Sequence, residues 1–140
     1  MLYYFYMTKL DYFLLCENVI NDQQGRISLI NIFDTINVTA LPAIQPKLCL
    51  AFAVYLDSEQ QKRGEVKFKL DVLKPSESSL LSAEGKGEIK PVMSKNNVQP
   101  KLAANLELAG VVFDEVGLYT AHLYVGSKLI SSTTFEVKAA

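Results

Sequence analysis

The sequence predicts an all-β chain folded as a two-sheet antiparallel β-sandwich of about seven or eight strands, immunoglobulin-like in outline. Three observations predict it. Apolar and polar residues alternate with a period of two in segment after segment. These segments are short and are separated by clusters of Gly, Pro, Asn, Asp and Ser. No stretch shows a convincing helical spacing of apolar residues. The 140 residues contain no linker, internal repeat or low-complexity tract, so residues 1–140 read as a single domain.

The first arm, residues 10–20, and the second, residues 26–34, flank Asn21-Asp22-Gln23-Gln24-Gly25. Asn and Asp favour turns and Gly25 is free to take a positive φ, so the pair reads as a β-hairpin. In its second arm Ile27, Leu29 and Asn31 share one side, with Ser28, Ile30 and Ile32 on the other, and both faces are expected to be partly covered. Pro42 and Pro46 mark a connection over 40–47, because proline cannot donate to a sheet ladder. The strand over 47–57 has no polar face: Leu48, Leu50, Phe52, Val54 and Leu56 alternate with Cys49, Ala51, Ala53 and Tyr55. That pattern belongs near the centre of a sheet.

Residues 58–64 read as a polar hairpin loop. The clearest alternation follows, with Val66, Phe68, Leu70 and Val72 on one face and Glu65, Lys67, Lys69 and Asp71 on the other. If Phe68 is a core residue, Phe68→Ala should cost about 3–5 kcal/mol. A turn at 75–79 leads to a weaker strand over 79–90, softened by Gly85 and Gly87 and expected at an edge. Residues 91–101 read as a surface loop. The segment 101–113 fits helical and strand spacing alike, and the hairpin that follows decides for strand. That hairpin puts Tyr119, Ala121, Leu123 and Val125 on one face, and Thr120, His122 and Tyr124 on the other. Phe135 and Val137 form the inward face of the last strand.

Fourteen basic and fifteen acidic residues leave a net charge of −1. The balance argues against a nucleic-acid partner, which calls for a concentrated basic face. The densest basic stretch, Lys62-Arg63 with Lys67 and Lys69, is interrupted by Glu59, Glu65 and Asp71. Cys16 and Cys49 lie in apolar runs and read as buried, reduced thiols rather than as a disulfide scaffold. The N-terminus is too short to span a bilayer and lacks the parts of a signal peptide. We expect residues 1–6 to be an upstream extension ahead of a natural start at Met7, and the chain to be cytoplasmic, with no membrane partner.

Two resemblances add to this reading. Glu115-x-Gly117-x-Tyr119-x-Ala121 resembles the tyrosine corner of immunoglobulin-like sandwiches, in which a tyrosine after a tight turn bonds back to nearby backbone. Ala121 stands where antibody domains carry a cysteine, and the chain has no tryptophan, so the likeness is to architecture. The second covers most of the chain. Asp11 to Asp22, Gly25, the run Ile27 to Ile36, Leu41-Pro42-Ala43, a long strand and the Gly117-x-Tyr119 hairpin resemble a bacterial family of small β-sandwich proteins known only as a domain of unknown function. In that family a glycine commonly stands where Asn31 precedes Ile32-Phe33-Asp34. The exchange is expected to alter a bulge and leave the fold intact. The resemblance implies a fold and no activity.

Chemistry-bearing residues are few. His122 is the single histidine, so any Ser–His–Asp or Cys–His arrangement must use it; mid-strand, it reads as a surface side chain. One histidine and two buried cysteines make a nitrogen–sulfur zinc site improbable, and no phosphate-binding glycine loop occurs. Asp34, Asp114 and Glu115 form an oxygen-ligand calcium site only if their strand ends converge; turn capping is the simpler role, as it is for Glu17 and Asp22. Asp34 is expected to fix the corner after the second arm by bonding to the following backbone, so that Asp34→Ala costs about 1–2 kcal/mol. The expected function is therefore that of a non-catalytic binding or interaction module rather than an enzyme. It would use no cofactor or metal, and would meet a protein partner or a second copy of itself. Its edge at 79–90 and its loops 40–47 and 91–101 are the candidate surfaces. The alternative is a carboxylate- or divalent-ion-dependent enzyme or a calcium-binding domain.

Overall fold

The structure, a computed structural model, describes residues 7–88 and 99–139. The proposed extension 1–6, the end of the 79–90 strand and most of the 91–101 loop lie outside the described residues. The elements run β1 (Lys9–Asn21), β2 (Ile27–Ile32), β3 (Thr35–Val38), β4 (Ala43–Tyr55), α1 (Ser58–Arg63), β5 (Glu65–Leu73), β6 (Ser79–Glu88), β7 (Lys101–Phe113), β8 (Gly117–Val125) and β9 (Lys128–Ala139). They form two sheets, ordered β2-β1-β4-β7 and β3-β9-β8-β5-β6. Among the described residues no helix is long and apolar enough to cross a membrane.

The alternation read from the sequence is what fills the space between the sheets. Leu48, Leu50, Phe52 and Val54 of β4 meet Val66, Leu70 and Val72 of β5 and Tyr119, Ala121, Leu123 and Val125 of β8 in one buried cluster with Phe113, Phe135 and Val137. β4 lies between β1 and β7, as its two apolar faces require. The segment 101–113 is a strand, paired along its length with β4. Tyr119 donates its hydroxyl to the Glu115 carbonyl at 2.8 Å, so the tyrosine-corner likeness holds in its hydrogen bond as well as its spacing. Burial raises the Tyr119 phenol above its usual range.

Four local expectations are corrected. Residues 58–63 form a helical turn, α1, rather than a hairpin loop. Asp57 accepts from the Gln60 backbone N–H at 2.8 Å, Gln60 Oε1 accepts from the Asp57 N–H at 3.0 Å, and Gly64 closes the turn at φ 69°. This reciprocal capping satisfies N–H groups that a loop would leave to water. The connection over 40–47 is also shorter than expected, because β4 already begins at Ala43. Its ladder to β7 runs on both sides of Pro46, from Gln45 opposite Val111 to Lys47 opposite Ala109. β1 reaches only to Cys49, so this end of β4 has a neighbour on one side, a setting that tolerates proline.

Third, the bend at Asp34 carries the chain from one sheet to the other, where Thr35–Val38 pair in parallel with β9. This four-residue strand brings the total among the described residues to nine. It also makes the one parallel pairing there in an otherwise antiparallel sandwich. Fourth, β2 is not covered on both faces: Leu29 is half-buried and its other residues are exposed. Apolar residues on both sides suggest covered faces, but among the described residues β2 is an edge strand.

Asn31 takes φ 53°, the left-handed region in which glycine is at ease. Its amide donates to Glu17 Oε2 across the hairpin at 3.0 Å. The left-handed backbone makes this position conformationally demanding. Asn31→Val should lose about 1–2 kcal/mol, the cost of a left-handed residue with a Cβ branch. Asn31→Gly should shift stability by less than about 1 kcal/mol. Urea midpoints compare the two, and equal losses would remove the backbone explanation.

Candidate interaction surface

Among the described residues the sandwich has four edge strands, and they differ in length and charge. β3 is only four residues long. β6 presents Glu84 and Lys86, and β7 presents Lys101 and Glu107, all exposed. Edge charges discourage the addition of a foreign strand. β2 reads Ile-Ser-Leu-Ile-Asn-Ile, with neither charge nor proline. Ile27, Ile30 and Ile32 are 40%, 37% and 57% exposed, and Ile20 of the facing arm is 49% exposed. Beside Ile32 lies an open depression of about 400 Å³ lined by Leu14, Leu15, Phe33, Asp34, Thr133 and Thr134.

The hairpin that carries this surface is tied at its tip. Asp22 accepts from the backbone N–H groups of Gln24 and Arg26, both at 2.8 Å, and pairs with the Arg26 guanidinium at 2.5 Å. The Arg26 backbone, and then its guanidinium, hold the Asp22 carboxyl below the usual carboxylate range. Gly25 completes the turn at φ 78°. Asp22 and Arg26 stand at the turn, and β2 beyond them carries no charged residue.

The carboxylates singled out for chemistry each have partners of their own. Asp34 is exposed and accepts from the Thr35 hydroxyl at 3.1 Å, while the corner itself is held by Glu136 N–H donating to the Asp34 carbonyl at 2.8 Å. The backbone therefore does what the carboxylate was expected to do, and Asp34→Ala should move the urea midpoint by less than about 0.5 kcal/mol. Asp114 pairs with Lys74 at 3.0 Å and lifts its ammonium above the ordinary range. Glu115 accepts from the Ser76 N–H at 3.2 Å and hydroxyl at 2.9 Å. Among the described residues no three His, Cys, Asp or Glu side chains stand close enough to hold a metal ion.

The sheet also makes a grouping that the sequence alone does not show. Asp71, His122 and Ser132 lie in one row across β5, β8 and β9. His122 Nδ1 is 2.6 Å from Ser132 Oγ. Asp71, however, bonds to Ser82 at 2.5 Å and pairs with Lys69 at 3.5 Å, with no bond to the imidazole. A triad needs the carboxylate to orient the histidine, and here the Asp71 carboxylate is turned to Ser82 and Lys69 instead. Only strand register brings these residues together.

A model of a family of unknown function, DUF6941, matches residues 11–138. No curated protein matches the chain. Among solved structures it is similar to the alkylpurine DNA glycosylase AlkC of Pseudomonas fluorescens, bound to DNA containing an abasic site analog. The identity is 10% and the TM-score 0.48, over 94% of this chain and 30% of that one. It is also similar to an immunoglobulin-like protein of Pseudomonas aeruginosa, with 12% identity and a TM-score of 0.45 over 95% of this chain and 98% of that one. Neither likeness carries an activity across.

Proposed function

The chain belongs to the DUF6941 family, a family of unknown function, and from that premise we propose that it is a non-catalytic interaction module whose docking element is the β1–β2 hairpin. One observation carries the reading: β2 is an edge strand with exposed isoleucines and neither charge nor proline to guard it. Such an edge offers unpaired backbone groups and apolar area together, which suits a protein partner that adds an extended segment. The docking element is thereby moved from 79–90, whose strand β6 is also an edge but carries charge, to residues 27–32. The depression beside Ile32 offers room for a partner side chain next to that edge.

Ile30→Lys combined with Ile32→Lys tests the proposal. The added ammonium groups should weaken association at least about tenfold, which corresponds to about 1.4 kcal/mol. Both positions are exposed, so unfolding should stay within about 1 kcal/mol of the wild type. Light scattering at increasing concentration reads self-association, and affinity purification from the native host reads partners. A double variant that keeps the wild-type partners and the wild-type mass would end the reading.

A further inference from the structure

The pairing of β1 with β4 sets Cys16 directly opposite Cys49. Cross-strand partners project to the same side of a sheet, and their Cα atoms lie roughly 4.5–5.5 Å apart in an antiparallel ladder. A disulfide closes over Cα separations of about 4.4–6.8 Å. Both cysteines are free and 0% exposed. They share a small cluster with Ala51, against which Tyr12, Val19 and Leu29 pack. This cluster is separate from the main core, because Cys49 and Ala51 alternate along β4 with the core residues Leu48, Leu50 and Phe52. The Cys49 thiol donates to the Glu17 carbonyl at 3.5 Å. Burial raises both thiols above their ordinary range, so at rest the pair is protonated and slow to react.

We propose that Cys16 and Cys49 are a latent dithiol that closes to an intramolecular disulfide, stapling β1 to β4, when a small disulfide oxidant reaches them. One cysteine, as thiolate, attacks the oxidant and releases one of its halves as a thiol, leaving a mixed disulfide. The second cysteine then attacks that mixed disulfide and releases the other half. Two protons and two electrons pass from the chain to the oxidant, which leaves as two thiols. Part of the cover over the sulfurs comes from β2. Leu29 lies on this edge strand, and Val19 is its partner across the hairpin. When the hairpin opens, it uncovers the sulfurs without disturbing the main core. The rate of closure therefore follows the opening of the hairpin, not global unfolding.

The test incubates the full chain with oxidised glutathione and follows intact mass and free thiols after quenching. The expected product has lost two hydrogens, carries no adduct, holds no free thiol and melts above the reduced form. Cys49→Ser should stop at the glutathione adduct on Cys16. Asn31→Val, which loosens the hairpin, should speed closure severalfold. Two outcomes overturn the proposal. One is a chain whose thiols stay free even in urea just below the unfolding transition. The other is a product made only of adducts or disulfide-linked dimers.

Discussion

Phe113→Ala is expected to lower stability by about 3–5 kcal/mol and the melting temperature by roughly 10–20 °C. Phe113 is fully buried at the end of β7. Its ring meets Tyr119 edge-on at 5.2 Å and Phe135 at 6.1 Å, while Tyr119 and Phe135 stack at 5.2 Å. The three rings join both sheets, since β7 belongs to one and β8 and β9 to the other. Truncation removes the ring that bridges them and leaves a void that two stacked aromatics cannot collapse to fill. Tyr119→Phe is the control. It preserves the ring contacts and deletes only the 2.8 Å bond to the Glu115 carbonyl, a loss of about 0.5–1.5 kcal/mol. Urea unfolding of the two variants separates the contributions. If Tyr119→Phe cost as much as Phe113→Ala, the hydrogen bond rather than the aromatic packing would hold this end of the sandwich.

The parts of the fold that the sequence makes legible depend on side-chain direction alone. Val66, Leu70 and Val72 alternate with Lys67, Lys69 and Asp71 whatever the rest of the chain does, and the core follows from them. Strand neighbours are a different matter. Ile27, Ile30 and Ile32 look like residues of a covered strand, and whether β2 has one neighbour or two depends on where β1, β4 and β7 go. The proposed docking surface is therefore hidden inside a pattern that normally means burial. The opposition of Cys16 to Cys49, and the row of Asp71, His122 and Ser132, depend in the same way on long-range register. A single residue of slip would send each pair to opposite faces. The helix α1 is a different case. Its signal, Asp57 and Gln60 three apart with Gly64 after them, is present in the sequence. It loses there to the expectation that a polar stretch between two strands is a loop.

Gly85→Val is expected to destabilise the sandwich by about 1–3 kcal/mol, even though valine favours strands. Gly85 of β6 stands opposite Phe68 of β5. A Cβ at Gly85 would come within 2.5 Å of the Phe68 ring tip. The ring has nowhere to retreat inward, because its other side meets the fully buried Phe52 edge-on at 5.1 Å. It must swing outward and give up that contact. The glycine that weakens β6 on paper is thus the space that Phe68 occupies, an aromatic covering an edge glycine. Phe68 itself is only partly buried, so Phe68→Ala should fall toward the low end of the 3–5 kcal/mol expected for a buried phenylalanine, or below about that range. The two changes should also be strongly coupled. With Phe68 truncated, the clash is gone and the introduced valine contributes its β-propensity, so the second substitution should become neutral or stabilising. A double-mutant cycle read by urea unfolding should therefore give an interaction energy of about 1–3 kcal/mol. Additive losses would mean that the ring does not depend on the missing Cβ, and that Gly85 serves β6 in some way other than by making room.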